Sequence, residues 1–186
     1  KSYGNTVLNV GDGELASGLI GEGRLAEPEY MFNFIVENFG RNRNFEGKKI
    51  LITAGPTYEA LDPVRFIGNH SSGKMGFAIA NEMVALGATV TLICGPTAEK
   101  TTANLTRIDV VSAKDMLVAC NEYFSQADIT IMSAAVADYT PVEVAEQKIK
   151  KKESEFNISL KKTTDILAEL GKRKTARQLL VGFALE

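Results

Sequence analysis

The stretch Asn69-His70-Ser71-Ser72-Gly73-Lys74-Met75-Gly76 gathers glycines, serines and a lysine at the entry to a helical pattern that runs to Leu86. At such an entry the first helical amides lack partners and the dipole is positive, so a phosphate would be stabilised there. A plain capped turn is the alternative. Gly68 to Lys74 also matches the G-x-x-x-x-G-K spacing of a P-loop, but Met75 stands where the Ser/Thr metal ligand belongs and the stretch begins long after the preceding strand ends. A true P-loop is therefore disfavoured, and Ser71, Ser72, Gly73 and Lys74 stand as candidates for a looser phosphate-binding helix start. Arg65 and Asn69, at i and i+4, would share a face if Val64 to Asn69 were helical, which makes both candidates for the same substrate.

A second candidate is the basic run Lys148-Ile149-Lys150-Lys151-Lys152, a short way past Asp138. Charge runs usually mark a solvated face. Here Lys148 and Lys150 would share one side of an extended segment, and a lysine can neutralise charge building on a phosphate during nucleotidyl transfer. His70 is the only histidine, which excludes multi-histidine metal clusters. Cys94 and Cys120 lie in or beside apolar runs without metal-ligand spacing.

The elements that must position these residues alternate. Lys49 to Gly55 is too apolar for a half-exposed strand and reads as a parallel strand covered on both faces. Met75, Ala78, Ile79, Met83 and Leu86 mark one helical face, stopped by Gly87. Thr89 to Cys94 and Arg107 to Val111 are further strands. Ser112 with Asp115 three residues on is close to a capping box for the next helix. Asp128 to Ala135 is a fourth strand, Phe156 to Leu160 alternates like a strand with one exposed face, and Gln178 to Ala184 is a final apolar strand. Thr163-Thr164-Asp165 is expected to cap a short helix ended by Gly171.

This alternation predicts an α/β, Rossmann-like, doubly wound, mostly parallel sheet with helices on both faces. Ligands bind such sheets at the carboxyl ends of the strands. Gly55-Pro56-Thr57, Cys94-Gly95-Pro96 and Ser133-Ala134-Ala135 would gather on that edge. The turn Ala54-Gly55-Pro56-Thr57-Tyr58-Glu59 has one glycine where the dinucleotide fingerprint needs three, so an NAD(P) oxidoreductase is a rival favoured by fold and opposed by sequence. A non-catalytic nucleotide-binding module is a third reading.

Residues 1 to about 29 carry glycines at 4, 11, 13, 18, 21 and 23, and read as a loop or flap. Glu29 to Phe39 fits a short helix, and Gly40 to Gly47 a polar linker, so the division falls at 1–47 and 48–186. At 186 residues and 45% hydrophobic, the chain can bury one sizeable core. Its net charge of -2 gives no global reason to expect nucleic acid. No run approaches the ~20 apolar residues of a membrane span, and a reduced cytoplasmic setting fits the two cysteines. The start at Lys1 and the stop on a strand at Glu186 suggest a piece of a longer protein.

Taken together, Ile52-Thr53-Ala54-Gly55-Pro56-Thr57, Asp62 to Gly76, Ala134-Ala135-Val136-Ala137-Asp138-Tyr139 and Lys148-Ile149-Lys150-Lys151 resemble phosphopantothenate–cysteine ligase, the synthetase half of the bifunctional coenzyme A biosynthesis flavoprotein. The resemblance implies a ligase in which 4′-phosphopantothenate attacks the α-phosphate of CTP and cysteine then displaces CMP. It implies Lys148 for the acyl-cytidylate step, and Asn69, Arg65 and Ala134 for its conversion with cysteine. Met132, Ser133, Ala134, Asp138, Lys148, Thr164, Asp165, Ile166, Leu167 and Phe183 match nucleotide-binding positions. Thr163-Thr164-Asp165 departs from the commoner Asn-Pro-Asp, and two lysines that the family places after the final strand would lie beyond Glu186.

The segment Gly13 to Arg24 resembles the flap of the preceding decarboxylase domain, with Ser17 where that flap usually carries cysteine. The flavin, FMN, belongs to the body of that domain, which is absent from the sequence. A homodimer is implied, with Mg²⁺ screening the meeting anions. No metal ligand can be named from the residues, and neither nucleic acid nor membrane is expected as a partner.

Overall fold

The computed structural model describes residues 8, 10–14, 18, 20–24, 26–39, 44–150 and 156–183. The chain divides into two compact units, Lys1–Asn42 and Arg43–Glu186. Ser17, the linker residues 40–43, Lys151, Lys152 and Glu186, all singled out above, lie outside the described residues.

In the first unit, strands β1 (Gly11–Glu14) and β2 (Ile20–Arg24) pair antiparallel, and helix α1 (Pro28–Phe39) follows. The expectation of a loop through residue 29 is thus corrected to a hairpin. Glycines weaken strand packing but keep every N–H and C=O needed for the ladder. Pro28 suits the first position of α1, where its missing N–H would have no helical partner.

The second unit runs β3 (Lys49–Ala54), β4 (Tyr58–Ala60), β5 (Phe66–Gly68), α2 (Lys74–Ala85), β6 (Thr89–Cys94), β7 (Thr106–Asp109), α3 (Ala113–Phe124), β8 (Ile129–Met132), β9 (Tyr139–Pro141), β10 (Leu160–Lys162), α4 (Ile166–Arg173) and β11 (Leu179–Gly182). Five strands form a parallel sheet in the order β11-β8-β3-β6-β7. β3 is central, with Ile52 opposite Leu92 on one side and Ile131 on the other. Its side chains alternate between two cores. Ile50, Ile52 and Ala54 pack with Phe77 and Ala80 of α2, whereas Leu51 packs with Met116, Cys120 and Phe124 of α3 and with Ile166 and Leu170 of α4. This is the doubly wound, Rossmann-like sheet with helices on both faces, and the strand order reverses between β3 and β8.

Three local expectations are corrected. Val64 to Asn69 is not helical: Phe66–Gly68 is a strand, paired with β4 and supported by stacking of Tyr58 on Phe66. Phe156 to Leu160 is not a strand; pairing with β9 covers Leu160–Lys162, and beyond it the Val142 amide donates to the Ser159 carbonyl at 3.0 Å without the ladder being extended to Phe156. Gly171 does not stop α4, which runs on to Arg173 with Lys172 and Arg173 in its last turn. Cations there suit the negative end of the helix. The Ser112–Asp115 capping box is present as expected.

Candidate functional site

The site begins with two buried threonines. Thr53 and Thr57 flank the turn that ends β3, and both are fully buried. Ala134 N–H donates to Thr53 Oγ1 (3.2 Å) and Ala137 N–H to Thr57 Oγ1 (2.9 Å). Ser133 Oγ donates to the Thr53 carbonyl at 2.6 Å, and the Ala135 amide to the Gly55 carbonyl at 2.8 Å. These bonds fasten the segment after β8 alongside the one after β3, at the point where the strand order reverses. Asn69 joins them from β5, its Nδ2 donating to the carbonyls of Ala135 (3.3 Å) and Val136 (3.1 Å). Asn69 and Ala134 are thereby brought together.

Beneath them, backbone meets backbone without side chains between. A Cβ on Gly95 would stand 1.6 Å from the Pro56 carbonyl oxygen, and one on Gly73 would stand 3.2 Å from the Gly55 nitrogen. Gly73 and Gly55 have φ of 81° and 75°, a left-handed conformation that L side chains rarely adopt. A Cβ on Gly76 would stand 2.5 Å from Ala54 Cβ and 2.8 Å from Ser133 Oγ. The loop before α2 therefore lies directly on the ends of β3 and β6. It is shaped by its own hydroxyls: the Gly73 amide donates to Ser71 Oγ (3.3 Å) and the Lys74 amide to Ser72 Oγ (3.4 Å), while Thr97 Oγ1 donates to the Ser72 carbonyl at 2.6 Å. No side chain caps the helix at Gly73, and no acidic residue lies in its first turn. Ser72 and Lys74 are exposed beside this positive helix end.

On the far side of β8 a cavity of about 700 Å³ opens between the ends of β8 and β11 and the start of α4. Met132, Ala134, Asp138, Thr164, Asp165, Ile166, Leu167 and Phe183 line it. Ser133 does not, since its hydroxyl is turned to Thr53. Val136, Ala137, Tyr139, Lys162, Thr163 and Gly182 complete the wall and were missed in sequence. The pairing of β9 with β10, which sets Lys162 opposite Tyr139, brings these two to the wall, and no local pattern in the sequence announced it. Thr163 fixes the geometry: its hydroxyl donates to the Ala137 carbonyl (2.7 Å) and its amide to that of Asp138 (2.8 Å). Asp165 caps α4 by accepting from the Ala168 amide. Gly182 leaves room for Leu167, whose Cδ2 would lie 2.6 Å from a Cβ there.

Lys148 is exposed and does not line this cavity. Its segment is instead held beside Arg65. The Arg65 guanidinium donates to Asp62 Oδ2 (2.6 and 3.0 Å) and to the Ile149 carbonyl at 3.0 Å. That guanidinium holds the buried Asp62 carboxyl well below the usual carboxylate range, against the opposing effect of burial. Cys94 and Cys120 are free and buried, and burial pushes both thiols up to about 12, so neither is a nucleophile at neutral pH.

Residues 45–186 match the family described as the DNA/pantothenate metabolism flavoprotein C-terminal domain. A protein named Cysteine/Cysteine sulfinic acid decarboxylase, from an unknown prokaryotic organism, is 49% identical over 100% of this chain and 53% of its own length. The Coenzyme A biosynthesis bifunctional protein CoaBC of Haemophilus influenzae is 48% identical over 100% of this chain and 46% of its own. The chain spans about half the length of the curated relatives it matches. The crystal structure of the C-terminal domain of a CoaBC protein superposes with a TM-score of 0.68 at 49% identity, covering 78% of this chain and 67% of that one. Sequence and overall fold thus agree, and the chain belongs to the DNA/pantothenate metabolism flavoprotein C-terminal domain family.

Proposed function

We propose that this chain joins 4′-phosphopantothenate to L-cysteine through an acyl-cytidylate formed with CTP, a cytoplasmic step of coenzyme A biosynthesis. The observation that carries the reading is the joint arrangement at one sheet edge: a nucleotide-sized cavity on one side of β8 and the Asn69–Lys74 loop on the other. The CoaBC relatives support it by name. A carboxylate is a poor acyl donor. Its oxygen attacks the α-phosphorus of CTP, a P–O bond forms, and pyrophosphate leaves with the electron pair of the broken bond. The cysteine amine then attacks the acyl carbon, CMP departs, and the amine sheds its proton.

In this reading Ala134, Asp138, Thr164–Leu167 and Phe183 hold the cytidine nucleotide, and Lys148 screens the charge that develops on phosphorus. Ser71, Ser72, Gly73 and Lys74 take the substrate phosphate at the start of α2. Asn69 and Arg65 serve the second step. Among the described residues no three His, Cys, Asp or Glu side chains gather to hold a metal. Mg²⁺ brought in with a triphosphate needs only one or two carboxylates besides phosphate oxygens and water, and Asp138 on the cavity wall offers one. Such an ion would supply charge neutralisation between the two anions. The protein acts as a homodimer, a reading supported by Val142, Val144, Phe156 and Ile158, exposed apolar side chains that line one groove.

The test supplies CTP, Mg²⁺, 4′-phosphopantothenate and cysteine, and follows pyrophosphate and CMP. Release of both is expected, and Lys148→Gln should lower pyrophosphate release about a hundredfold or more. Absence of both products, from the chain and from a chimera that embeds it in the remaining sequence of the Haemophilus influenzae relative, would overturn the proposal. The relative named for cysteine decarboxylation favours a second reading, which predicts carbon dioxide from cysteine without CTP.

A further inference from the structure

The turn between β4 and β5 contains a carboxylate with an unusual number of donors. Asp62 is 2% exposed. Its Oδ1 accepts from the amides of Val64 and Arg65, both at 2.8 Å. Its Oδ2 accepts from Arg65 Nε and Nη2 and, at 3.1 Å, from the amide of Ile149, 87 residues away. Arg65 Nη2 completes the circuit by donating to the Ile149 carbonyl. Both backbone groups of Ile149 are therefore held by the Asp62–Arg65 pair, and the Ala145 amide adds a bond to the Leu61 carbonyl at 3.0 Å. Residues 145–150 form no helix or strand, and all but Ala145 and Ile149 are exposed. Lys148 and Lys150 flank the held residue.

Resting on the ligase reading above, we propose that Asp62 is a positioning residue that fixes the segment bearing Lys148 and, with the same carboxylate, aims Arg65. One side chain then serves both half-reactions: Lys148 in forming the acyl-cytidylate, Arg65 in consuming it. The chemistry explains why a carboxylate is used. Each Asp62 oxygen accepts only, and the two together meet five N–H donors, whereas an amide in its place must turn its own NH₂ toward one set of them. Asp62→Asn, oriented with its oxygen toward Val64 and Arg65 N–H, keeps the turn and sets donor against donor at Arg65 and Ile149.

The experiment pairs kinetics with amide exchange. In the wild type the Ile149 amide should exchange about a hundredfold more slowly than those of Lys148 and Lys150. In Asp62→Asn that protection should vanish while amides of β3 and β6 keep theirs. Pyrophosphate release should fall about a hundredfold in kcat, with the KM for CTP changed less than about threefold, as expected for lost positioning rather than lost binding. CMP release on adding cysteine should fall further still.

An Ile149 amide no slower than its neighbours in the wild type overturns the proposal without any variant. So does an Asp62→Asn protein whose pyrophosphate release stays within about threefold of wild type. If the wild type and the chimera release no pyrophosphate, the ligase reading fails and the proposal falls with it; a wild type that is active beside an equally active variant sinks the proposal alone.

Discussion

Single residues at the strand ends carry the geometry of the site, and glycines do so by omission. Gly95 illustrates this: the atom a Cβ would strike is the Pro56 carbonyl oxygen, at 1.6 Å, and backbone cannot swing aside as a side-chain tip can. Overpacking in cores costs about 1–3 kcal/mol, and Gly95→Ala should reach or exceed the top of that range. A urea titration followed by circular dichroism checks it. Loss below about 1 kcal/mol would mean that the loop shifts freely. Thr53 and Thr57 act in the opposite sense, each supplying one oxygen where a strand-end amide needs an acceptor. Their roles were not legible in the sequence, where Thr53 reads as one more β-branched residue of an apolar strand and Thr57 as part of the turn that ends it.

At the scale of elements, the β4–β5 hairpin is latched through Asp62, and the latch responds to acid. Because the folded-state pKa of Asp62 lies below that of the unfolded chain, the folded form binds fewer protons at low pH. Its contribution to stability is complete above the unfolded value of about 3.9 and is lost as pH falls toward the folded one. The stability gap between wild type and Asp62→Asn should therefore stay constant from pH 8 to about pH 5 and narrow below about pH 4, as measured by urea midpoints across that range. A gap independent of pH down to about 2 would show that the latch does not favour the ionised carboxylate more than the unfolded chain does.

The long apolar strands, the capping box at Ser112 and the gathering of three turns on one edge were all legible, because each rests on a local pattern. The hairpins were not. β4–β5 and β9–β10 are three-residue strands whose pairing is decided by tertiary bonds: Tyr58 N–H to the Val111 carbonyl, Glu59 Oε1 accepting from the Ala113 amide, and Thr163 on Ala137. The i, i+4 spacing of Arg65 and Asn69 likewise suggested a shared face, whereas the strand between them sends Arg65 to Ile149 and Asn69 to the end of β8.

For the whole molecule, the exposed apolar groove of Val142, Val144, Phe156 and Ile158 gives the proposed homodimer a testable surface. Sedimentation velocity at micromolar concentration should give a dimer, and Val144→Asp, by burying an unpaired charge, should weaken it by about 2 kcal/mol, roughly thirtyfold. A monomer in the wild type, or a variant dimer of unchanged strength, would remove that surface from consideration. The parallel sheet also dictates an order of events. β3 can pair with β6 soon after both leave the ribosome, but the acceptors of Asn69 lie 66 and 67 residues further on, the amide held by Thr57 lies 80, and the amide held by Asp62 lies 87. Chains grow N-terminus first. The loop before α2 is therefore synthesised early and must wait until the segment after β8 emerges, so a nascent chain with only its first 125 residues outside the ribosome has three of the five sheet strands and lacks the β8 side of the site.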